Sequence, residues 1–306
     1  MLRRSATEVQ VGTDPRWAVR LTDLTPSDAD LLPDLDAVDP SLTELLSRAH
    51  LTQDDEVSIP SDPRAVDAQL WSLLRPFPDG AALVREREQR VVAVLGLGPT
   101  GLGLAVGLAT AGVGTILLDD DAVVRPVDVG PTGYRWTDVG AVRASVAARM
   151  LRDVAPQVST DSVRPPDVVV LVEADVADPG RAPVLVTEGT AHLSVVVREA
   201  DTVVGPLVVP GHGPCLRCLD LHRTDADLAW PTLADQLRRS APPDESAVTA
   251  VVASGLGTAA VLAHLDGAGS NSPGTTFEIA APDAIPRERT WAVHPDCGCT
   301  ALPAVP

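Results

Sequence analysis

One stretch of the chain, residues 90–121, constrains the fold more than any other: RVVAVLGLGPTGLGLAVGLATAGVGTILLDDD. The apolar run 91–95 predicts a buried strand, the alanine- and leucine-rich segment after the glycines predicts a helix, and residues 115–118 predict a second strand. A strand, a crossover helix and a second strand form a βαβ unit, in which the two strands run parallel. We therefore predict an α/β protein with a Rossmann-like, doubly wound and mainly parallel sheet. Further apolar runs predict strands within residues 166–175, 182–189 and 193–199.

The first 88 residues have a different character, with many acidic residues and prolines. Residues 17–21 predict a short strand. Three short helices are predicted to follow, because each start pairs a capping side chain with a proline at the next position. These starts are Thr25-Pro26, Asp39-Pro40 and Asp62-Pro63. The order predicts an N-terminal winged-helix-like α+β module over residues 1–88, suited to peptide binding, and a second domain over residues 89–306.

A glycine loop lies between the first predicted strand and helix of the second domain. Gly96, Gly98 and Gly101 form G-x-G-x-x-G, and acidic residues follow about 20 positions later. Such glycines let the backbone approach phosphates at the helix N-terminus, and Asp119 and Asp121 are candidates for holding magnesium or ribose hydroxyls. The alternative is a tight strand-to-helix turn whose glycines serve packing, since Pro99 removes one N–H donor from the loop. The charged segment 221–246 is predicted to be a mobile connection over this cleft.

The four cysteines of the chain stand in two tight pairs, Cys215/Cys218 and Cys297/Cys299. Four thiolates complete a tetrahedral zinc shell, and C-x-x-C is a usual ligand spacing, so the pattern predicts a structural zinc site. Three alternatives remain: a redox-active C-x-x-C, a disulfide within each pair, and a three-cysteine catalytic zinc with a nearby histidine. The histidines close enough in sequence for the last alternative are His222 and His294.

Composition excludes several classes of function. The net charge of −18 argues against binding to nucleic acid or to an anionic membrane, because phosphates repel such a surface. All 24 basic residues are arginine, so lysine chemistry is closed to this chain. The apolar run 248–265 is interrupted by polar residues and glycines, which favours a buried helix over a membrane span. With no charged-then-apolar signal segment at its start, the chain is expected in the cytoplasm.

The run GLGPTGLGLAVGLATAGVGTILLDDDAVV resembles the ThiF/MoeB proteins, bacterial relatives of ubiquitin-activating enzymes. The resemblance implies adenylation of a carboxylate with ATP and magnesium, a zinc held by two cysteine pairs, and a homodimer. Family members place an asparagine, an arginine and then a lysine near the phosphates. This chain instead has RPVDVGP at 125–131 and Arg143 at the lysine's place, while the family's later aspartate corresponds to Asp175. Arg143 and Asp175 are thus the catalytic candidates, and the losses imply weak or absent adenylation, although Arg125 or Arg135 could substitute in space.

Two later segments resemble one branch of that family more closely: VGPLVVPGHGPCLRCLDLHRTDADLAWP and WAVHPDCGC. These are similar to the ThiF-like cyclodehydratase partner proteins of azole- and azoline-containing peptide (bacteriocin-type) biosynthesis. The resemblance implies a protein that binds the leader of a ribosomally made precursor peptide and presents it to a YcaO-type cyclodehydratase, its own ATP site degenerate. Two alternatives are an active ATP- and magnesium-dependent adenylyltransferase, acting on a peptide or a ubiquitin-like carrier, and a Rossmann-type oxidoreductase.

Overall fold

The structure, a computed structural model, describes residues 1–15, 18–32, 39–48, 62–74, 80–267 and 272–300. The chain divides into two compact units, residues 1–85 and residues 86–306. The glycine loop and all four cysteines belong to the larger unit.

The smaller unit combines a three-stranded antiparallel sheet with short helices. The strands are β1 (Leu2–Arg3), β2 (Val9–Val11) and β3 (Val19–Leu21), in the order β1-β2-β3. The helices are α1 (Pro26–Leu31), α2 (Pro40–Arg48) and α3 (Arg64–Leu74), and α4 (Gly80–Glu88) follows them.

Helix α1 starts as its sequence predicts. The Thr25 hydroxyl accepts the Asp28 N–H at 3.1 Å, and Pro26 occupies the first helical position. The unit has its own apolar core, in which Val9 of the sheet packs with residues of the helices. Three strands are present where one was predicted. The strand predicted over residues 17–21 corresponds to β3, and its first residue, 17, lies outside the described residues.

The larger unit is built on a seven-stranded sheet with the strand order β10-β9-β8-β7-β6-β4-β5. Strands β5, β4, β6 and β7 run parallel, and β8, β9 and β10 extend the sheet in antiparallel pairing. The predicted Rossmann-like α/β class is confirmed, with a mixed sheet. The strands are β4 (Val91–Leu95), β5 (Thr115–Asp119), β6 (Val168–Ala174), β7 (Ala191–Val197), β8 (Asp201–Val208), β9 (Thr275–Ala280) and β10 (Pro286–Thr290).

Among its described residues, this unit also has six complete α-helices. They are α5 (Pro99–Thr110), α6 (Arg143–Val154), α7 (Arg181–Glu188), α8 (Leu216–Ala226), α9 (Trp230–Leu237) and α10 (Ala247–Leu265). Segment 221–246, predicted to be a mobile connection, is largely helical, since α8 ends and α9 lies within it. The parts of it outside these helices are residues 227–229 and residues 238–246.

The predicted strand over residues 182–189 is wrong, because these residues form α7. Ala182, Leu185 and Val186 lie at helical spacing and pack toward the apolar interior, whereas Val184 is exposed. Gly189 then ends the helix with a left-handed conformation, φ 74°. A run rich in valine and leucine favours a strand by local propensity, but its apolar spacing suits a helix on the sheet.

Helix α10 packs closely on α5. The Ser254 hydroxyl donates to the Thr100 carbonyl at 2.9 Å, and Gly257 faces Leu104 at a distance that leaves little room for a side chain. By length and composition alone α10 is apolar enough to cross a membrane. In this structure it contacts α5 and the strands β7, β8 and β9. The helix that was predicted here therefore packs on the sheet and on α5, the helix that follows the glycine loop.

Candidate nucleotide cleft and metal centre

The glycine loop joins β4 to α5 with very tight backbone contacts. Gly96 has φ +91°, a left-handed conformation that favours glycine, and its N–H donates to the Asp119 carbonyl at 2.9 Å. A Cβ at Gly96 would collide with the Val172 carbonyl, and a Cβ at Gly101 would collide with the Gly96 carbonyl. Packing alone therefore requires glycine at positions 96 and 101.

A cleft of about 340 Å³ opens beside this loop, at the carboxyl ends of the parallel strands. This is the place where open α/β sheets bind ligands, and the volume lies at the lower end of the roughly 300–1,000 Å³ of small-molecule pockets. Its polar lining comes from Asp120, Arg125, Arg143, Glu173 and Glu245.

The acidic run after β5 contributes Asp120 to this lining. Its carboxylate accepts the Leu97 N–H at 2.7 Å and the Ala122 N–H at 2.8 Å, so it shapes the loop. The side chains of the two predicted residues, Asp119 and Asp121, are exposed to solvent. Asp120 is therefore the acidic side chain of this run that lines the cleft.

Arg143, a candidate for catalysis, starts α6 and points to two carboxylates. Its Nη2 lies 2.5 Å from Asp128 Oδ2, and its Nη1 lies 3.3 Å from Asp120 Oδ2. Asp128 is 1% exposed. Burial raises the pKa of Asp128, but hydrogen bonds from Arg125 and Arg143 outweigh burial and hold this pKa below its ordinary value. The guanidinium of Arg143 is thereby committed to an internal ion pair.

Arg125 is the second arginine of the cleft, and it too is paired. It contacts Asp128 and Asp244, each at 3.0 Å. Arg135 instead begins a short turn, where its N–H donates to Asp138 at 2.9 Å. Of the two arginines proposed as spatial substitutes, Arg125 is the one that lines the cleft.

Asp175, the other candidate for catalysis, follows β6 directly. It has φ +61°, an uncommon conformation for a non-glycine residue, and its N–H donates to the Val197 carbonyl at 2.7 Å. Its carboxylate accepts a hydrogen bond from the Ser240 hydroxyl at 3.3 Å. Glu173, two residues earlier, lines the cleft, and burial raises the pKa of its carboxyl group.

Glu245 is the cleft residue that sequence reasoning missed. It precedes α10, yet its Oε2 accepts the Thr100 N–H at 2.9 Å in the first turn of α5. Its other oxygen fills the space beside Gly98 that a Cβ would occupy. Burial raises the pKa of Glu245. Since 145 positions separate Glu245 from Thr100, no local pattern predicts this contact; the sequence signal is an acidic residue just before a helix start.

The four cysteines come together as one buried cluster. Cys215 caps the N-terminus of α8, Cys218 lies in its first turn, and the second pair arrives from the C-terminal segment. The Sγ–Sγ distances are 3.6 Å for Cys215–Cys297, 3.5 Å for Cys218–Cys299 and 4.0 Å for Cys215–Cys218. A tetrahedral ion with Zn–S bonds of about 2.3 Å has sulfur–sulfur edges of about 3.8 Å, whereas a disulfide needs about 2.05 Å.

The donor set therefore fits a metal ion. Burial raises the pKa of Cys299 to about 11 and raises that of Cys215 as well. Burial acts in the same direction on Cys218, but hydrogen bonds, first among them one from the backbone at His294, hold its pKa below the ordinary value. Two of the thiols therefore resist ionisation without a cation nearby. A divalent cation supplies the missing positive charge and deprotonates its cysteine ligands. The cysteine cluster could thus hold a metal ion, and it would tie the C-terminal segment to α8.

A second group, His222, Asp225 and His294, lies close enough together to be considered for a metal. The hydrogen bonds of His294 argue against that role. Its Nδ1 accepts the Asp296 N–H at 3.1 Å, so the ring proton sits on Nε2 and is donated to Asp225 at 2.9 Å. Both ring nitrogens are used, so His294 braces the segment that carries Cys297 and is not a fourth ligand of a three-cysteine site.

Comparisons with known proteins agree with this fold. Residues 75–178 match the model of the ThiF family, while no curated protein sequence matches the chain. The crystal structure of PaaA is 17% identical, with a TM-score of 0.73 over 96% of this chain and 98% of PaaA. The microcin C7 biosynthetic enzyme MccB in complex with N-formylated MccA is 16% identical, with a TM-score of 0.68 over 98% of this chain and 97% of MccB. Escherichia coli MccB with ATP is 19% identical, with a TM-score of 0.65 over 90% of this chain and 84% of MccB.

Proposed function

Because residues 75–178 match the ThiF family model, we propose that this chain is a ThiF-like scaffold for peptide modification. It binds the leader of a ribosomally made precursor peptide and presents the peptide to a YcaO-type cyclodehydratase in the cytoplasm. Its own ATP site is degenerate, so it contributes binding and positioning. The module that grips the peptide is the N-terminal one, residues 1–88, and the ThiF-like domain is residues 89–306.

The internal pairing of the cleft's arginines carries this proposal. Five carboxyl groups and two guanidinium groups stand in or beside the cleft, and both guanidiniums contact carboxylates of the chain. Phosphoryl and adenylyl transfer need cations aimed at the phosphates. A triphosphate entering this cleft would meet excess negative charge and would compete with Asp120, Asp128 and Asp244 for the two arginines.

The N-terminal unit supports the peptide-binding part of the proposal. Strand β3 lies at an edge of its three-stranded sheet, and Val19 and Arg20 on it are exposed. An extended peptide can add to such an edge through main-chain hydrogen bonds. MccB, whose structure resembles this chain, is a microcin C7 biosynthetic enzyme solved with N-formylated MccA. A linear peptide is accordingly the ligand class that we propose for β3.

We propose structural zinc as the metal of the four-cysteine cluster. Cys215, Cys218, Cys297 and Cys299 would hold it, and the ion would supply folding free energy and no reaction step. With all four thiols committed, the chain has no cysteine left as a thioester nucleophile. That excludes the transfer of an activated carrier to its own cysteine.

Peptide binding to the full chain tests the proposal. A fluorescein-labelled precursor peptide encoded beside this protein should raise fluorescence polarisation on titration, and a scrambled peptide of the same composition should not. Hydrogen exchange should then slow at residues 18–21, because added main-chain hydrogen bonds protect the β3 amides. Absence of binding to every neighbouring precursor contradicts the proposed function.

An active adenylyltransferase is the second candidate, favoured by one observation. The cleft keeps an open volume of about 340 Å³ beside an intact glycine loop, and MccB, which shares the fold, has been solved with ATP. ATP–pyrophosphate exchange that depends on a peptide carboxylate, and that is abolished by changing Asp119 or Asp121, would establish this candidate and displace the scaffold.

A further inference from the structure

A short segment between α9 and α10 crosses the mouth of the cleft. We call residues 240–246 the strap. It is anchored by three polar contacts: Ser240 to Asp175 at 3.3 Å, Asp244 to Arg125 at 3.0 Å, and Glu245 to Thr100 at 2.9 Å. Pro242 and Pro243 of the strap line the cavity. The strap therefore connects the end of β6 to the glycine loop across the space where a ligand would enter.

The carboxylate of Glu245 occupies an anion position of the glycine loop. Thr100 lies in the first turn of α5, a 12-residue helix whose N-terminus attracts negative charge. The second carboxylate oxygen reaches so near Gly98 that no larger residue could stand there without displacing it. A phosphate oxygen bound by this loop would need the same N–H group and the same close approach to the backbone. Glu245 and a bound phosphate are thus mutually exclusive.

We propose that Glu245 is an intramolecular stand-in for a nucleotide phosphate, and that the strap keeps the glycine loop closed to a nucleoside triphosphate until it is displaced. This rests on the proposed function, since it assumes that the cleft is the nucleotide cleft of a ThiF-like domain. The pairing of the cleft's arginines is a permanent feature, whereas the block by Glu245 is reversible. The anion site at the glycine loop is itself intact, and Glu245 occupies it.

The strap has the properties of a displaceable element. Most of its residues are exposed, and its contact between Asp244 and Arg125 joins side chains that are 60% and 39% exposed, so solvent and salt weaken it. The two adjacent prolines, Pro242 and Pro243, restrict the backbone of the strap. Burial disfavours the charged form of Glu245, so release of this residue to solvent regains hydration.

Anion binding by strap variants tests the proposal. Isothermal titration calorimetry with inorganic pyrophosphate and with MgATP would compare the full-length wild-type chain with E245A, E245Q and D244N. We expect E245A to bind pyrophosphate at least about tenfold more tightly than wild type, because its anion site is vacated. E245Q should gain less, because the amide oxygen still accepts the Thr100 N–H, and D244N should gain modestly by loosening the strap. Glu288→Ala, an exposed change on β10 of the same unit, should leave binding unchanged.

Equal pyrophosphate affinity, within about twofold, for wild type and a folded E245A chain overturns the proposal. Hydrogen exchange at Thr100 gives a second reading that needs no ligand. Its amide should exchange faster in E245A than in wild type, and an unchanged rate also overturns the proposal. The same variants are titrated with labelled precursor peptide. If the wild-type chain does not bind the labelled peptide, the proposed function is contradicted. If E245A does not bind pyrophosphate more tightly than wild type, the proposed role of the strap is contradicted.

Discussion

The guanidinium of Arg143 lies 2.5 Å from the carboxylate of Asp128, and Asp128 is 1% exposed. Arg143 stands where the sequence resemblance led us to expect a lysine, and this pair holds its guanidinium against an internal anion. Asp128 also accepts the backbone N–H of Arg125 at 2.8 Å, so one carboxylate fixes both arginines of the cleft. Asp128 therefore holds both arginines in place beside the cleft.

Asp128→Asn should destabilise the chain strongly. Removal of one partner leaves Arg143 partly buried beside an uncharged group, at a cost of about 2–4 kcal/mol at neutral pH. Because the pKa of Asp128 is lowered in the folded state, its stabilisation is complete above the unfolded pKa near 3.8 and is lost as pH falls further. Urea unfolding of wild type and D128N at about pH 7 and about pH 3 measures this, and the difference between the two chains should be smaller at the lower pH. An unchanged midpoint at pH 7 would contradict the assigned role.

Removal of the metal should unfold the C-terminal segment first. Cys218→Ser, or treatment with a strong zinc chelator, should lower the melting temperature by on the order of 10 °C, because the ion links segments 79 positions apart. Elemental analysis should find one zinc per purified chain. Ser145→Ala, at an exposed position of α6 in the same unit, is the control and should melt like wild type. A purified, folded chain without zinc contradicts this assignment.

The pH dependence of Glu245 has a defined sign. Burial raises its folded pKa above the model-compound value of 4.5, with Thr100 and Arg143 favouring the charged form and Asp128 opposing it. Wild type therefore loses stability as pH rises from about 4.5 through the folded pKa, and E245Q does not. We expect E245Q to unfold at a higher urea concentration than wild type near pH 7.5 and to match it near pH 4.5. A difference that is constant with pH would show that ionisation of Glu245 is not its source.

Two helical glycines should respond in opposite ways to alanine. At Gly101 the new Cβ collides with the Gly96 carbonyl, so G101A should cost about 3 kcal/mol or more and should distort the loop. At Gly255, exposed in α10, nothing lies within 4 Å of the new Cβ, so G255A should stabilise by about 0.5–1 kcal/mol. Thermal unfolding of both variants measures the contrast. Equal effects would show that loop packing is not what fixes glycine at position 101.

The sequence predicted those parts of the fold that have a local pattern. The βαβ unit, the glycine loop and the starts of the N-terminal helices follow from periodicity and capping. The region 182–189 was predicted as a strand because its valines favour strands locally, whereas its packing on the sheet makes it α7. Strands β8, β9 and β10 were not predicted, since polar residues and prolines interrupt them.

In the candidate sites, too, the sequence predicted some of the contacts and not others. The two cysteine pairs are visible in sequence, and their sulfurs meet in space. The contact between Glu245 and Thr100 is not visible, because it joins residues 145 positions apart and depends on the path of the strap. Likewise, the sequence did not show that Asp120, and not its two acidic neighbours, would line the cleft. That depends on the direction of the side chains at the end of β5, which alternates by residue.

ATP–pyrophosphate exchange by the wild-type chain with bound precursor peptide tests the central claim most directly. We expect the peptide to bind while exchange stays at the background rate of protein-free buffer, because the cleft's arginines are paired within the chain and Glu245 fills its anion position. Rapid exchange that requires both this protein and the peptide's carboxylate would contradict the account.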